Sequence, residues 1–221
     1  VGCPGMDLAA RTHRGTQHEA LSGLTGDGAE IDPDAPFLLV LQHPVTTEYG
    51  AGLEQMTATL HAVSLLGVQA LVFWPNVDAG SEEVVAGIRQ FRAQGLADRC
   101  HFFRNLPAED FARLLAHCSC IIGNSSAALR EGAYLGTPAV SIGTRQQNRE
   151  CGRNVKFTSH NSLEIAEAVR AQIAHGRYER CHIFGDGSAG LKIAEVLATV
   201  DPPVQKSLHY DLGSLVDGVL V

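Results

Sequence analysis

Between Cys120 and Arg145 the chain reads CIIGNSSAALREGAYLGTPAVSIGTR: an apolar run, an abrupt polar break at Asn124, Ser125 and Ser126, then a helix-like stretch with one carboxylate, Glu131. A helix beginning just after Asn124 would present unpaired backbone N–H groups and the positive end of its dipole, an arrangement that suits a phosphate. The hydroxyls of Ser125 and Ser126 would add donors. Glu131 stands five residues beyond Ser126, more than one turn into such a helix, where a carboxylate can accept both hydroxyls of a ribose. The spacing therefore points to a nucleoside diphosphate. Plain serine capping with a solvent-facing glutamate would give the same string.

Anion-binding residues need a scaffold, and the hydrophobic pattern supplies one. Short apolar runs at 37–42, 69–74, 100–103, 119–123, 138–143 and 154–157 read as strands. Helical spacing separates them: Leu53, Met56, Leu60 and Val63; then Val84, Val85, Ile88 and Phe91; then Phe111, Leu114 and Leu115 behind Pro107; then Leu129 and Tyr134; then 162–174. Strands alternating with single helices predict an α/β fold, a Rossmann-like parallel sheet with helices on both faces. Ligands bind such sheets beyond the carboxyl ends of the strands. HPVTTEYG, PNVDAGS, RNLP, NSS and GTRQQNRECGRN all fall there. Asn76 in the second of these loops has an amide able to hold a phosphate or shape the cleft; Asp78 and Ser81 read as turn and cap residues. Arg145, Arg149 and Arg153 form an arginine-rich loop after the fifth strand, suited to phosphate or to locking Glu131, or simply solvated.

Composition narrows the partners. With 45% hydrophobic and 19% charged residues the 221-residue chain can bury a sizeable core. Its net charge is −7 and its 17 basic residues are dispersed, which argues against nucleic acid. No apolar run reaches the roughly 20 residues of a membrane span, and the opening residues do not read as a signal peptide, so a soluble cytoplasmic protein is expected. The six cysteines lack a CxxC pair and read as free thiols; a zinc site at Cys118 and Cys120 would lack further ligands, so no metal is expected.

QHPVTTEYG from Gln42, WPNVDAGS from Trp74, FFRNLP from Phe102, the serine turn and the GTRQ loop, taken in order, closely resemble the C-terminal domain of hydrolysing UDP-N-acetylglucosamine 2-epimerases. GCPGMD at Gly2 is similar to the family's interdomain segment, and DPPVQKSLHYDL to its closing segment. The resemblance implies one half of a glycosyltransferase-B-type fold: an interdomain or linker segment over 1–35, a nucleotide-binding domain over 36–200, and a closing segment over 201–221. It implies loss of the C2 proton and departure of UDP from C1 to give a glycal, then hydration to free N-acetylmannosamine.

By the same resemblance His43 contacts the phosphates and assists the leaving group, Ser125, Ser126 and Arg145 hold the diphosphate, and Glu131 holds the ribose. Phe103, by its ring or neighbouring backbone, would face uracil, or it is ordinary core. No cofactor is required, in keeping with the lack of a GxGxxG fingerprint. The implied partners are UDP, a UDP-N-acetyl-hexosamine and an N-terminal domain that lies outside these residues and supplies the acidic groups acting at the sugar. A homo-oligomer would form through that domain. Cys151 departs from the charged residue expected in relatives. A sugar-nucleotide glycosyltransferase half and a non-catalytic UDP-binding fragment remain open at this point.

Overall fold

The computed structural model describes residues 1–12, 15–201 and 205, with the backbone of 215–216 and 219–220. In chain order the elements are α1 (Pro4–Arg11), α2 (Gln17–Leu21), β1 (Asp27–Gly28), β2 (Phe37–Leu41), a 3-10 turn (Thr46–Glu48), α3 (Gly52–Leu66), β3 (Gln69–Phe73), α4 (Ser81–Ala93), β4 (Cys100–Phe103), α5 (Ala108–His117), β5 (Cys120–Gly123), α6 (Glu131–Leu135), β6 (Ala139–Ile142), β7 (Val155–Thr158), α7 (Ser162–His175) and α8 (Ala189–Thr199). All six apolar runs become strands, within a residue or two of their expected bounds. The segment expected to close the chain, 201–221, lies mostly outside the described residues.

The sheet order is β1-β4-β3-β2-β5-β6-β7. Every pairing is parallel except that of β1 with β4. Counting the parallel strands alone, the order is 3-2-1-4-5-6, the doubly wound arrangement, and its topological switch point lies between β2 and β5. Successive residues of a strand face opposite ways, so β2 feeds two layers. Leu38 and Val40 join Met56, Leu60, Val84, Ile88, Ile165 and Val169 on the α3, α4 and α7 side. Phe37 and Leu39 join Met6, Ala20, Leu114, Leu115 and Leu129 on the α1, α2, α5 and α6 side. Leu53, counted on the apolar face of α3, is instead exposed in its first turn.

Residues 1–35 thus contribute Met6, Ala9, Ala20 and Leu21 to the core, and β1 extends the sheet beyond β4. Asp7 fastens the first helix to the last: its two carboxylate oxygens accept from the backbone N–H of Ala189 at 2.9 Å and of Gly190 at 2.7 Å. At the switch point Gly123 has φ +129°, and a Cβ there would stand 2.0 Å from the Leu41 carbonyl oxygen. Only glycine lets β2 and β5 approach this closely. Among the described residues no helix is long and apolar enough to cross a membrane.

Candidate functional site

The chain leaves β2 towards α3 on one face and β5 towards α6 on the other, so the two post-strand segments diverge and open a crevice between them. Asn124, the first residue after β5, closes its floor. Its Oδ1 accepts from the His43 backbone N–H and its Nδ2 donates to the His43 carbonyl, both at 2.8 Å. Its own carbonyl accepts from Arg145 Nη1 at 3.0 Å and Gln146 Nε2 at 2.8 Å. The loop after β6 is tied to the loop after β2 as well: the Thr144 hydroxyl donates to one oxygen of Glu48, and Gln55 Nε2 donates to the other at 2.5 Å. Three loops are thereby joined into one body.

A cavity of about 290 Å³ opens above this floor, lined by His43, Asn76 and Ser125 together with Trp74, Arg104 and Phe111. His43 is 9% exposed, and its Nδ1 has no hydrogen-bond partner. Burial is the main influence pulling its pKa below 6.5, the Arg145 guanidinium pulls the same way, and Asp78 opposes them. The imidazole is therefore neutral at neutral pH, and an arriving anion would favour its protonation. Asn76 is exposed at the rim. The backbone N–H groups of Ser125 and Ser126 donate to nothing among the described residues, whereas Ala127 N–H donates to the Ser125 hydroxyl at 3.3 Å. The free Ser125 amide and a neutral histidine make a donor-bearing pocket, and the free Ser126 amide stands at its border with the neighbouring recess.

The helix expected just after Asn124 begins instead at Glu131 and is five residues long. Residues 126–130 form turns, in which Leu129 and Arg130 N–H donate to the Ser126 carbonyl and Gly132 N–H reaches back to Ala127. The free donors here are the turn's amides, with no long helix dipole behind them. Ser126 lines a neighbouring recess with Arg130, Gln146, Arg149 and Phe184. Arg153 is exposed. Arg145 bonds Asn124 and does not lock Glu131; the cation acting on Glu131 is Arg130. Glu131 sits against α1, where a Cβ on Gly5 would lie 3.0 Å from its Oε1. Burial raises its pKa above the usual 4.5, outweighing a backbone hydrogen bond and Arg130.

The Phe103 ring cannot face a base. It is 1% exposed and packs at 5.6 Å from Phe73 and 4.7 Å from His101, measured between ring centres. Any base contact near it falls to the backbone of the RNLP turn. At the start of α4 the cap position is Gly80, with Ser81 as the first helical residue. Cys118 and Cys120 enter opposite core layers, and burial pushes the Cys118 thiol up to about 12. Asn124, Gln146 and Glu48 had no place in the sequence-derived site, although Asn124 stands in the quoted turn.

The model of the UDP-N-acetylglucosamine 2-epimerase family matches residues 1–198. The chain belongs to that family. UDP-N-acetylglucosamine 2-epimerase of Neisseria meningitidis serogroup B is 28% identical over 205 residues, covering 92% of this chain and 51% of the relative. UDP-N,N'-diacetylbacillosamine 2-epimerase (hydrolyzing) of Legionella pneumophila is 24% identical over 200 residues, covering 90% and 51%. The crystal structure of the Neisseria meningitidis UDP-GlcNAc 2-epimerase bound to UDP-GlcNAc superposes with a TM-score of 0.65 at 15% identity, over 90% of this chain and 54% of that one. The chain thus spans about half the length of the curated relatives it matches. Within the 2-epimerase family its sheet is one half of a glycosyltransferase-B-type fold.

Proposed function

We propose that this chain is the UDP-binding, C-terminal half of a hydrolysing UDP-N-acetylglucosamine 2-epimerase. Residues 36–200 would form the nucleotide-binding domain, with 1–35 leading in and 201–221 closing it. The observation that carries the reading is the cavity at the switch point, where His43, Asn76 and Ser125 face one space, with the backbone amides of Ser125 and its neighbour Ser126 free.

In the proposed reaction the C2 proton is lost, the C1–O bond to UDP breaks to leave a glycal, and water adds to give free N-acetylmannosamine. The charge that develops on the departing diphosphate would be met by the Ser125 and Ser126 amides and by Arg145. Neutral His43 would donate an N–H to it, or take up and return a proton as the bond breaks. The acidic groups acting at the sugar would come from the other half, so this chain alone should bind without turning over.

Titration with UDP, UDP-N-acetylglucosamine and GDP tests this. Trp74 is the sole tryptophan of the chain and lines the cavity, so its emission reports occupancy. Saturable binding of both uridine nucleotides, tighter than GDP, is the expected result; no response to UDP overturns the reading. Joined to its other half, the protein should release UDP and N-acetylmannosamine without an acceptor. Strict dependence on an acceptor sugar would identify a glycosyltransferase.

A further inference from the structure

Every polar atom of Asn124 is engaged within the protein. Its N–H donates to the Leu41 carbonyl at 3.0 Å, its side-chain amide takes both main-chain groups of His43, and its carbonyl takes Arg145 and Gln146. It is 0% exposed, so it cannot itself be a ligand contact. What it touches, however, are the two groups assigned to the diphosphate, brought from loops 81 residues before it and 21 residues after it.

We propose that Asn124 is a positioning residue for diphosphate recognition: its buried side-chain amide sets His43 against the Arg145 held by its own carbonyl, across the switch point. The inference rests on the reading of the cavity as a UDP site.

The residue type follows from the geometry. Meeting an N–H and a C=O of the same residue takes one acceptor and one donor on a short planar group, which is what a side-chain amide offers. A carboxylate at this position keeps the shape but sets an oxygen against the His43 carbonyl and adds a buried charge. Serine is neutral but too short to span both groups. The backbone of His43 would then be held only by its chain neighbours, and its ring would lose its fixed distance to Arg145. Fixed donors lose little entropy when an anion arrives, so loosening them should cost β-phosphate affinity more than affinity for the nucleoside.

The experiment compares dissociation constants for UDP and UMP in the wild-type chain, Asn124→Asp, Asn124→Ser and a control, Gln172→Ala. Gln172 is also buried, and its Nε2 bridges the carbonyls of Ala139 and Asn154, none of the three lining the cavity. A wild-type preference for UDP over UMP is the check on the diphosphate reading itself; without it that reading fails, whatever the variants do. Given the preference, both Asn124 variants should reduce it by about tenfold, the scale of one lost hydrogen bond. Gln172→Ala should lower the melting temperature and keep the preference. If the Asn124 variants bind both nucleotides equally more weakly, or bind them as wild type does, the proposal is overturned.

Hydrogen exchange on the wild-type chain supplies a test that does not depend on a folded variant. The His43 amide should exchange slowly before any nucleotide is added, and exchange at the rate of an open loop would overturn the proposal.

Discussion

Gly5 and Glu131 face each other so closely that a single methyl group would crowd them: a Cβ on Gly5 would stand 3.0 Å from Glu131 Oε1 and 3.5 Å from Cys3 Sγ. Helix α1 therefore sets where the carboxylate can lie, although it comes before the sheet in the chain. Gly5→Ala should displace the Glu131 carboxylate and weaken UDP binding several-fold. Helix propensity favours alanine by about 1 kcal/mol, so the melting temperature should hold or rise. Calorimetric titration beside thermal unfolding separates the two effects; unchanged affinity would remove Glu131 from the ribose.

Glu131 itself carries a conflict between folding and binding. Its folded pKa is raised, so the stability its neutral form gives is complete below the unfolded value of 4.5 and is lost as pH rises through the folded value. At neutral pH the ionised carboxylate costs stability. Glu131→Gln should raise the melting temperature at about pH 7 and leave it nearly unchanged at about pH 4. The same substitution should weaken UDP binding by about 1–3 kcal/mol, the scale of hydrogen bonds to charged groups. Ser126→Ala should weaken it comparably.

His43 gives the opposite pH sign. Its folded pKa lies below 6.5, so its contribution to stability is present above that value and lost as pH falls through the folded one. Binding an anion raises the pKa again, which couples binding to proton uptake. Affinity for UDP-N-acetylglucosamine, whose diphosphate does not titrate in this range, should rise from about pH 8 towards about pH 5. In His43→Asn this rise should be lost. A wild-type profile that is itself flat would take His43 away from the phosphates.

Asp7 provides a control outside the cavity lining, on the helix that carries Gly5. Asp7→Ala removes the acceptor for the first two N–H groups of α8 and should cost about 1 kcal/mol of stability. UDP affinity should not change. Chemical denaturation and a parallel titration check both halves of the statement.

The parallel strands were legible because each is a short apolar run between turn signals, and their carboxyl-end loops gave His43, Asn76 and Ser125. Strand β1 was not, since Asp27 and Gly28 have no strand preference and pair only because β4 offers them an edge. The helix expected after Asn124 failed on local hydrogen bonding: the Ser125 hydroxyl takes an N–H two residues on, and Gly132 reaches back five residues to Ala127. Phe103 looked equally suited to a base or to the core, and sheet alternation, which puts it beside Phe73, decided for the core. Asn124 was invisible as a partner of His43 because no local pattern records a contact spanning 81 residues.

The bare backbone at Gly123 has a consequence for the whole crevice. Any side chain there would wedge the Leu41 carbonyl aside and prise apart the two strands whose exits carry His43 and Asn124. The gauge of the crevice is therefore kept by a missing methyl, one residue upstream of Asn124.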